Sequence, residues 1–590
     1  MVSVDAGTDT LNRGGTGLIS GTGGTGAKPL IDGGMNPPPV VNTAAVKLVS
    51  GRARLVGAGT SSCTNQVPAP GDRWCAFFRD GANLGRTDLW VINVSKADAL
   101  RASGGAPIVC NGMDPNCIRL TDNLWNGTPD VGPTHPFAHG FDGDTLIYHA
   151  DPVSAPDELY EGFIYAWRPG WTQARKITTN TAITCAGNLT APVAYCLQNI
   201  SKDDTQPVEF DIHAGTMSDS DATTLPKVDR IHPLNSKDVT KWRASFNRAG
   251  TVFAYSTGRT DLDLENMWTI PVASLGTFNP NAVPPVLSDA SRFTISRDGT
   301  KVYYFKGFNY SDAGAPSGTL MVADFPSGAN PRQLITEVGA YLIVADDNDM
   351  DKGVAYFHMV SSGKGNLRIV NDISKPDDYL VIGSEMVSAL LSPDLRYTFY
   401  ATTVNEQVGT TNAFVVDNTK ARKDSLPIPC SLQREPKTDY YGTPFLKNSG
   451  LVFWVDDVDP NLFVGQGWLA KPDCSGKRQF AQNIDFWFPV GDEGLIYSDD
   501  TGETTTTIRN ALIGDGVLAT GTQIQKQANR LYGLTLPDYD ILLYQIADGY
   551  PESDGIYLWP LPYGRPVTAD GGVDGGVDGG DPDASADASL

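Results

Sequence analysis

Three alternating carboxylates, Asp347, Asp349 and Asp351, stand in the run Asp346-Asp347-Asn348-Asp349-Met350-Asp351-Lys352-Gly353. Oxygen ligands at every second position of a turn can converge on a hard cation, which makes these three the candidate calcium ligands. The glycine falls one position late for a helix-loop-helix calcium loop and no closing Glu follows, so a solvated turn between strands is the competing account. Asp261-Leu262-Asp263-Leu264-Glu265 offers a second acidic set. Calcium at the first set is the single cofactor candidate; no other cofactor is expected. Five of the six histidines, His135, His139, His149, His213 and His232, crowd into one hundred-residue stretch. Neutral imidazoles ligate transition metals, but Thr134-His135-Pro136-Phe137-Ala138-His139-Gly140 looks like a loop entering a strand, where a turn or core histidine is the commoner case. Nucleophilic hydrolysis is excluded on different grounds. There is no Gly-x-Ser-x-Gly elbow, and no histidine follows His358 to serve as a late base. Paired acids for glycoside cleavage stay open, because such pairs are assembled from separate strands. Phe308 and Tyr310, in the loop from Gly307 to Gly318, are the candidate contact residues.

The eight cysteines are even in number and fall mostly in close pairs: Cys63 with Cys75, Cys110 with Cys117, Cys185 with Cys196, leaving Cys430 and Cys474. None has the C-x-x-C spacing of a zinc or redox site, so disulfides closing surface loops are expected, in an oxidising compartment. No stretch approaches the roughly 18–20 apolar residues of a membrane helix. The N-terminus lacks a charged-then-apolar leader. A signal or lipoprotein leader upstream of the first residue, with its lipid anchor, reconciles these two observations.

With 68 acidic against 45 basic residues the net charge is −23, which excludes a nucleic-acid partner, since phosphate affinity comes chiefly from Lys and Arg. Hydrophobic residues at 41% suffice for a large core, whereas 62 glycines and 40 prolines are too many for a helical protein. Residues 1–43 are Gly, Thr and Pro-rich, without the periodic apolar residues that offset ordering entropy, and are expected to form a disordered tether. Residues 569–590 repeat Asp-Gly-Gly-Val and are expected to form an acidic, solvated low-complexity tail.

Between these ends, over residues 44–568, one pattern recurs: a Gly or Asp turn, an alternating strand, a loop and another strand. It reads Phe246-Asn247-Arg248-Ala249-Gly250-Thr251-Val252-Phe253-Ala254-Tyr255, and again Ile295-Ser296-Arg297-Asp298-Gly299-Thr300-Lys301-Val302-Tyr303-Tyr304. Further turns precede strands at Gly353, Asp394, Gly450 and Gly494, a spacing of about 49 residues, the size of one propeller blade. An alternating strand cannot bury both faces alone. Radial stacking lets each sheet cover the next. Trp74, Trp90, Trp268 and Trp559 fall on such strands and are expected in the core. Parallel α/β folds are disfavoured, because no convincing amphipathic helix separates the strands.

Ser296-Arg297-Asp298-Gly299-Thr300-Lys301 and Ser392-Pro393-Asp394-Leu395-Arg396, each followed by an apolar strand, resemble the repeat of TolB-type β-propellers. The resemblance covers residues 240–400 well and the remainder loosely. Together with the period it predicts an all-β fold, a single propeller of about eight blades within a range of seven to ten. The stretch from Cys185 to Asn235 is the most ambiguous part of that count. The resemblance implies a non-enzymatic binding scaffold of the bacterial cell envelope, periplasmic or outer-surface, or secreted, whose loops meet a protein, peptide or glycan partner. A propeller-fold glycoside hydrolase or lyase acting on polysaccharide is the alternative.

Overall fold

The computed structural model describes residues 45–560 except 57–61, 65–71, 81–85, 126–137, 151–162, 179–181, 200–209, 219–223, 232–242, 259–264, 310–316, 345–353, 393–395, 406–409, 433–439, 442–450, 457–464, 491–493, 519–521, 547–553 and a few shorter gaps. Antiparallel sheets dominate, and nearly all contain strands consecutive in the chain. Numbered along the chain, blade 1 spans residues 53–125, blade 2 138–176, blade 3 182–231 and blade 4 243–271. Blade 4 has three strands, and Leu287 bridges Met267 where a fourth would lie.

The next sheet has ten strands, from Ser291–Ile295 to Cys430–Ser431. Its two thirteen-residue strands, Arg332–Val344 and Tyr379–Leu391, each end one blade and begin the next. The first half of Arg332–Val344 pairs with Ser317–Asp324 and the second half with Val354–Ser361, across register shifts. The sheet is therefore blades 5, 6 and 7 joined by shared strands. Blade 8 (440–484), blade 9 (487–528) and blade 10 (531–560) complete the series. Among the described residues ten such units are present, at the upper limit of the expected range. The ambiguous stretch after Cys185 is a blade in its own right, which accounts for part of the excess over eight.

Alternation along the strands explains why these sheets stack. In Trp74–Asp80, Trp74, Ala76 and Phe78 face blade 2, against Phe141, Leu146, Tyr148 and Trp167. Cys75 and Phe77 face the other way, onto Leu543, Ile556 and Leu558 of blade 10. In Val252–Gly258, Phe253 and Tyr255 pack on Val193, Tyr195 and Leu197 of blade 3, while Ala254 lies against Val302 and Tyr304 of blade 5. Tyr303 and Phe305 face forward onto Val354 and Tyr356 of blade 6. Each strand thus spends its even positions on one neighbour and its odd positions on the other. The same arrangement joins blades 2 and 3, 6 and 7, 7 and 8, and 8 and 9.

The chain closes on itself. Val46–Ser50 pairs antiparallel with Gly555–Pro560, so the first strand of the chain is the edge strand of the last sheet. Gly555 makes this possible, because a Cβ there would stand 2.1 Å from the Val49 carbonyl oxygen. Trp74, Trp90 and Trp268 are buried as expected, and Trp559 is half-buried.

Four disulfides form: Cys63–Cys75, Cys110–Cys117, Cys185–Cys196 and Cys430–Cys474. The last joins the outer strand of blade 7 to the connection after Gly465–Ala470 in blade 8. The second staples an insertion in blade 1 that includes the helix Val94–Ser103, capped by Asn93 Oδ1 accepting from Lys96 N–H at 2.9 Å. Among the described residues no helix is long and apolar enough to cross a membrane.

Candidate functional site

The repeated turn is built from one side chain. Ser296 Oγ accepts from Lys301 N–H at 2.9 Å, and Ser392 Oγ accepts from Tyr397 N–H at 2.8 Å. In blade 4, Asn247 Oδ1 takes the same part toward Val252 N–H at 2.9 Å. A short polar side chain five residues ahead of the second strand thus locks the first-to-second turn in these three blades. Asp298 tightens its copy by accepting from Ser296 Oγ at 2.7 Å, Thr300 Oγ1 at 2.7 Å and Thr300 N–H at 3.0 Å. The bonds from Ser296 and Thr300 hold its carboxyl down at about 2. A depressed folded pKa stabilises the turn above the unfolded value of 3.8 and loses that effect as pH falls through the folded value. Protection of the Thr300 amide, taken relative to its intrinsic exchange rate at each pH, is therefore expected to fall between pH 4 and pH 2 in the unaltered protein, and to be low throughout in Asp298→Ala. An unchanged exchange profile in the variant would refute this account of the turn.

These turns, with the third-to-fourth connections, lie on one face of the stack, which we call the turn face. The opposite face carries the second-to-third loops and the corners where the chain passes between blades. At those corners the backbone departs from ordinary conformations. Asp289 (φ 52°) and Arg292 (φ 47°) lie where blade 5 begins, and Glu337 (φ 56°) where blade 6 begins. A non-glycine residue in the left-handed region costs about 1–2 kcal/mol, and such positions cluster where a side chain must be aimed.

Local contacts fix the two corners. Asp289 Oδ2 accepts from Gly307 N–H at 3.0 Å. The Arg292 guanidinium lies 4.8 Å from the centre of the Phe308 ring, which meets Phe305 edge-on at 5.3 Å. At the next corner Glu337 is largely exposed, with Oε2 3.7 Å from His358 Nδ1. Burial and the nearby Arg368 push the His358 pKa down, and Glu337 opposes them. Arg368 in turn stands over the Tyr379 ring at 4.4 Å and hydrogen-bonds the Tyr356 hydroxyl, whose pKa burial raises. The blade 6 corner thus brings a carboxylate, an imidazole and the Arg368 guanidinium near the half-buried Tyr379 ring, and the blade 5 corner sets the Arg292 guanidinium over the half-buried Phe308 ring. Such a set can fix a polar chain by hydrogen bonds while the rings cover its apolar parts.

Of the expected site residues, Phe308 belongs to this corner, half-buried between Arg292 and Phe305. Tyr310 and the candidate calcium ligands Asp347, Asp349 and Asp351 lie outside the described residues. All eight cysteines pair, Cys430 and Cys474 with each other. His213 is buried in the third strand of blade 3, its Nδ1 2.9 Å from the Leu225 carbonyl, and burial lowers its pKa. Among the described residues no three His, Cys, Asp or Glu side chains gather as a metal site. Asp289, Arg292 and Glu337 were not legible: nothing in Ala290-Ser291-Arg292 or Thr336-Glu337-Val338 marks a backbone corner.

Small antiparallel sheets stacked face to face in chain order, with the first strand completing the last sheet, define a β-propeller. No family model and no curated protein sequence matches the chain. Among solved structures it is similar to a putative TolB from Agrobacterium tumefaciens, at 13% identity and TM-score 0.23, over 47% of this chain and 94% of that one. An oligogalacturonate lyase in complex with manganese aligns at 12% identity and TM-score 0.29, over 54% and 80%. A prolyl endopeptidase aligns at 13% identity and TM-score 0.33, over 63% of this chain and 53% of that one, so the chain spans about half the length of that relative.

Proposed function

We propose that the protein is a non-enzymatic, TolB-like binding scaffold of the bacterial envelope or extracellular space, which presents the corners of blades 5 and 6 to a protein, peptide or glycan partner. One observation carries this reading: the strands spend both faces on neighbouring blades. Recognition is left to loops and corners, and at two consecutive corners charged side chains are held in costly backbone conformations. Four disulfides fit an oxidising compartment. Residues 1–43 would serve as the tether of an envelope-anchored disc, with a lipid anchor supplied upstream.

The test places a photo-crosslinking residue at Glu337, or at exposed Lys375 on the turn face, in protein exposed to envelope extract. A discrete adduct from position 337 that is missing from position 375 is the expected result. Equal labelling from both positions would overturn the assignment of the face. New reducing or unsaturated sugar ends after incubation with polysaccharide would replace the scaffold with the hydrolase or lyase.

A further inference from the structure

In a chain of net charge −23, two neighbouring connections on the turn face are rich in bases. The connection of blade 7 carries Lys420, Arg422 and Lys423, all exposed, and that of blade 8 carries Lys471, Lys477 and Arg478. Cys430–Cys474 ties the two together. The acids and bases are partly engaged locally: Asp417 Oδ1 accepts from Thr419 N–H and Oγ1 at 3.1 and 2.6 Å while its Oδ2 stands 3.8 Å from Lys420 Nζ, Asp473 Oδ1 accepts from Ser475 N–H at 2.9 Å, and Lys423 Nζ donates to the Asp377 carbonyl at 2.7 Å. Between the bases and the disulfide runs Leu426-Pro427-Ile428-Pro429, with Leu426 51% and Ile428 93% exposed. Two prolines without N–H groups bar strand addition along this segment, so its exposed side chains are what it offers.

We propose that this basic and apolar surface is the docking site of the chain's own C-terminal tail, residues 569–590. Charge is complementary: the tail holds Asp570, Asp574, Asp578, Asp581, Asp583 and Asp587 with no base. Its apolar residues Val573 and Val577 stand beside those aspartates, as Leu426 and Ile428 stand beside the lysines. Topology delivers the tail to the right side. Pro560 ends the third strand of blade 10, and third strands end on the face that bears both basic connections. The thirty residues beyond it reach about 100 Å when extended, ample for the three blade-to-blade steps of about 10 Å each at closest packing. Docking departs from the solvated tail expected from composition.

Zero-length carbodiimide cross-linking of the full-length chain, followed by peptide mapping, tests this. Cross-links within one chain, from the tail aspartates to Lys420, Lys423, Lys471 or Lys477, are expected, and should fade in high salt as surface charges are screened. Full-length protein with Asp570, Asp574 and Asp578→Asn should show amine labelling of Lys420 and Lys471 raised about fivefold, the scale of one or two surface pairs lost. Tail cross-links scattered over lysines of both faces would overturn the proposal, as would unchanged labelling. Cross-links that join two chains and grow with concentration would also overturn it, by making a second copy's tail the occupant.

Discussion

Gly555→Val is expected to destabilise the protein by about 3 kcal/mol or more, the scale of a buried overlap that only backbone movement can relieve. The new Cβ would fall 2.1 Å from Val49 O, inside the pairing of Val46–Ser50 with Gly555–Pro560. Relief requires the first strand to leave, which uncovers Leu48 and Val49 and their packing on Leu543, Ile556 and Leu558. Gly276→Ala is the control, since nothing lies within 4 Å of its added Cβ. Denaturant midpoints, with amide exchange at Lys47 and Tyr557, report both effects. A variant as stable as the control would show that closure does not depend on that close approach.

Removing the Cys430–Cys474 bridge by a double Cys→Ser change should cost about 4 kcal/mol, and removing Cys110–Cys117 about 2.5 kcal/mol, if chain entropy alone governs. The difference follows from sequence separations of 44 and 7 residues. Reductant applied to the unaltered protein should cost more than either change, since it opens all four bridges, so urea unfolding of each variant without reductant reads the two separate losses. Equal costs for the two bridges would mean that the inter-blade link adds nothing beyond a surface staple.

Legibility in the sequence tracked locality. The turns at Gly250 and Gly299 were readable because a polar residue, a glycine and an alternating strand lie within ten residues, and one side chain locks the whole turn. Cysteine pairs close in the chain were readable for the same reason. The way the ring closes was not, because nothing in Val46-Lys47-Leu48-Val49 names a partner five hundred residues away. Blade 3 lies in the stretch after Cys185 where the pattern was ambiguous, and its His213, one of the candidate metal imidazoles, is spent inward on Leu225. The corner residues were hidden because a left-handed Glu337 is imposed by the bend between two blades, a tertiary demand with no local signature.

The pairing of Val46–Ser50 with Gly555–Pro560 sets an order on biosynthesis. The opening strand leaves the ribosome some five hundred residues before its mate. Until then that strand is an uncovered sheet edge, liable to join the wrong neighbour, and the ring closes only once the distant mate is made. Because the two strands meet so late, the four bridges are best formed in an oxidising compartment after the ring has come together.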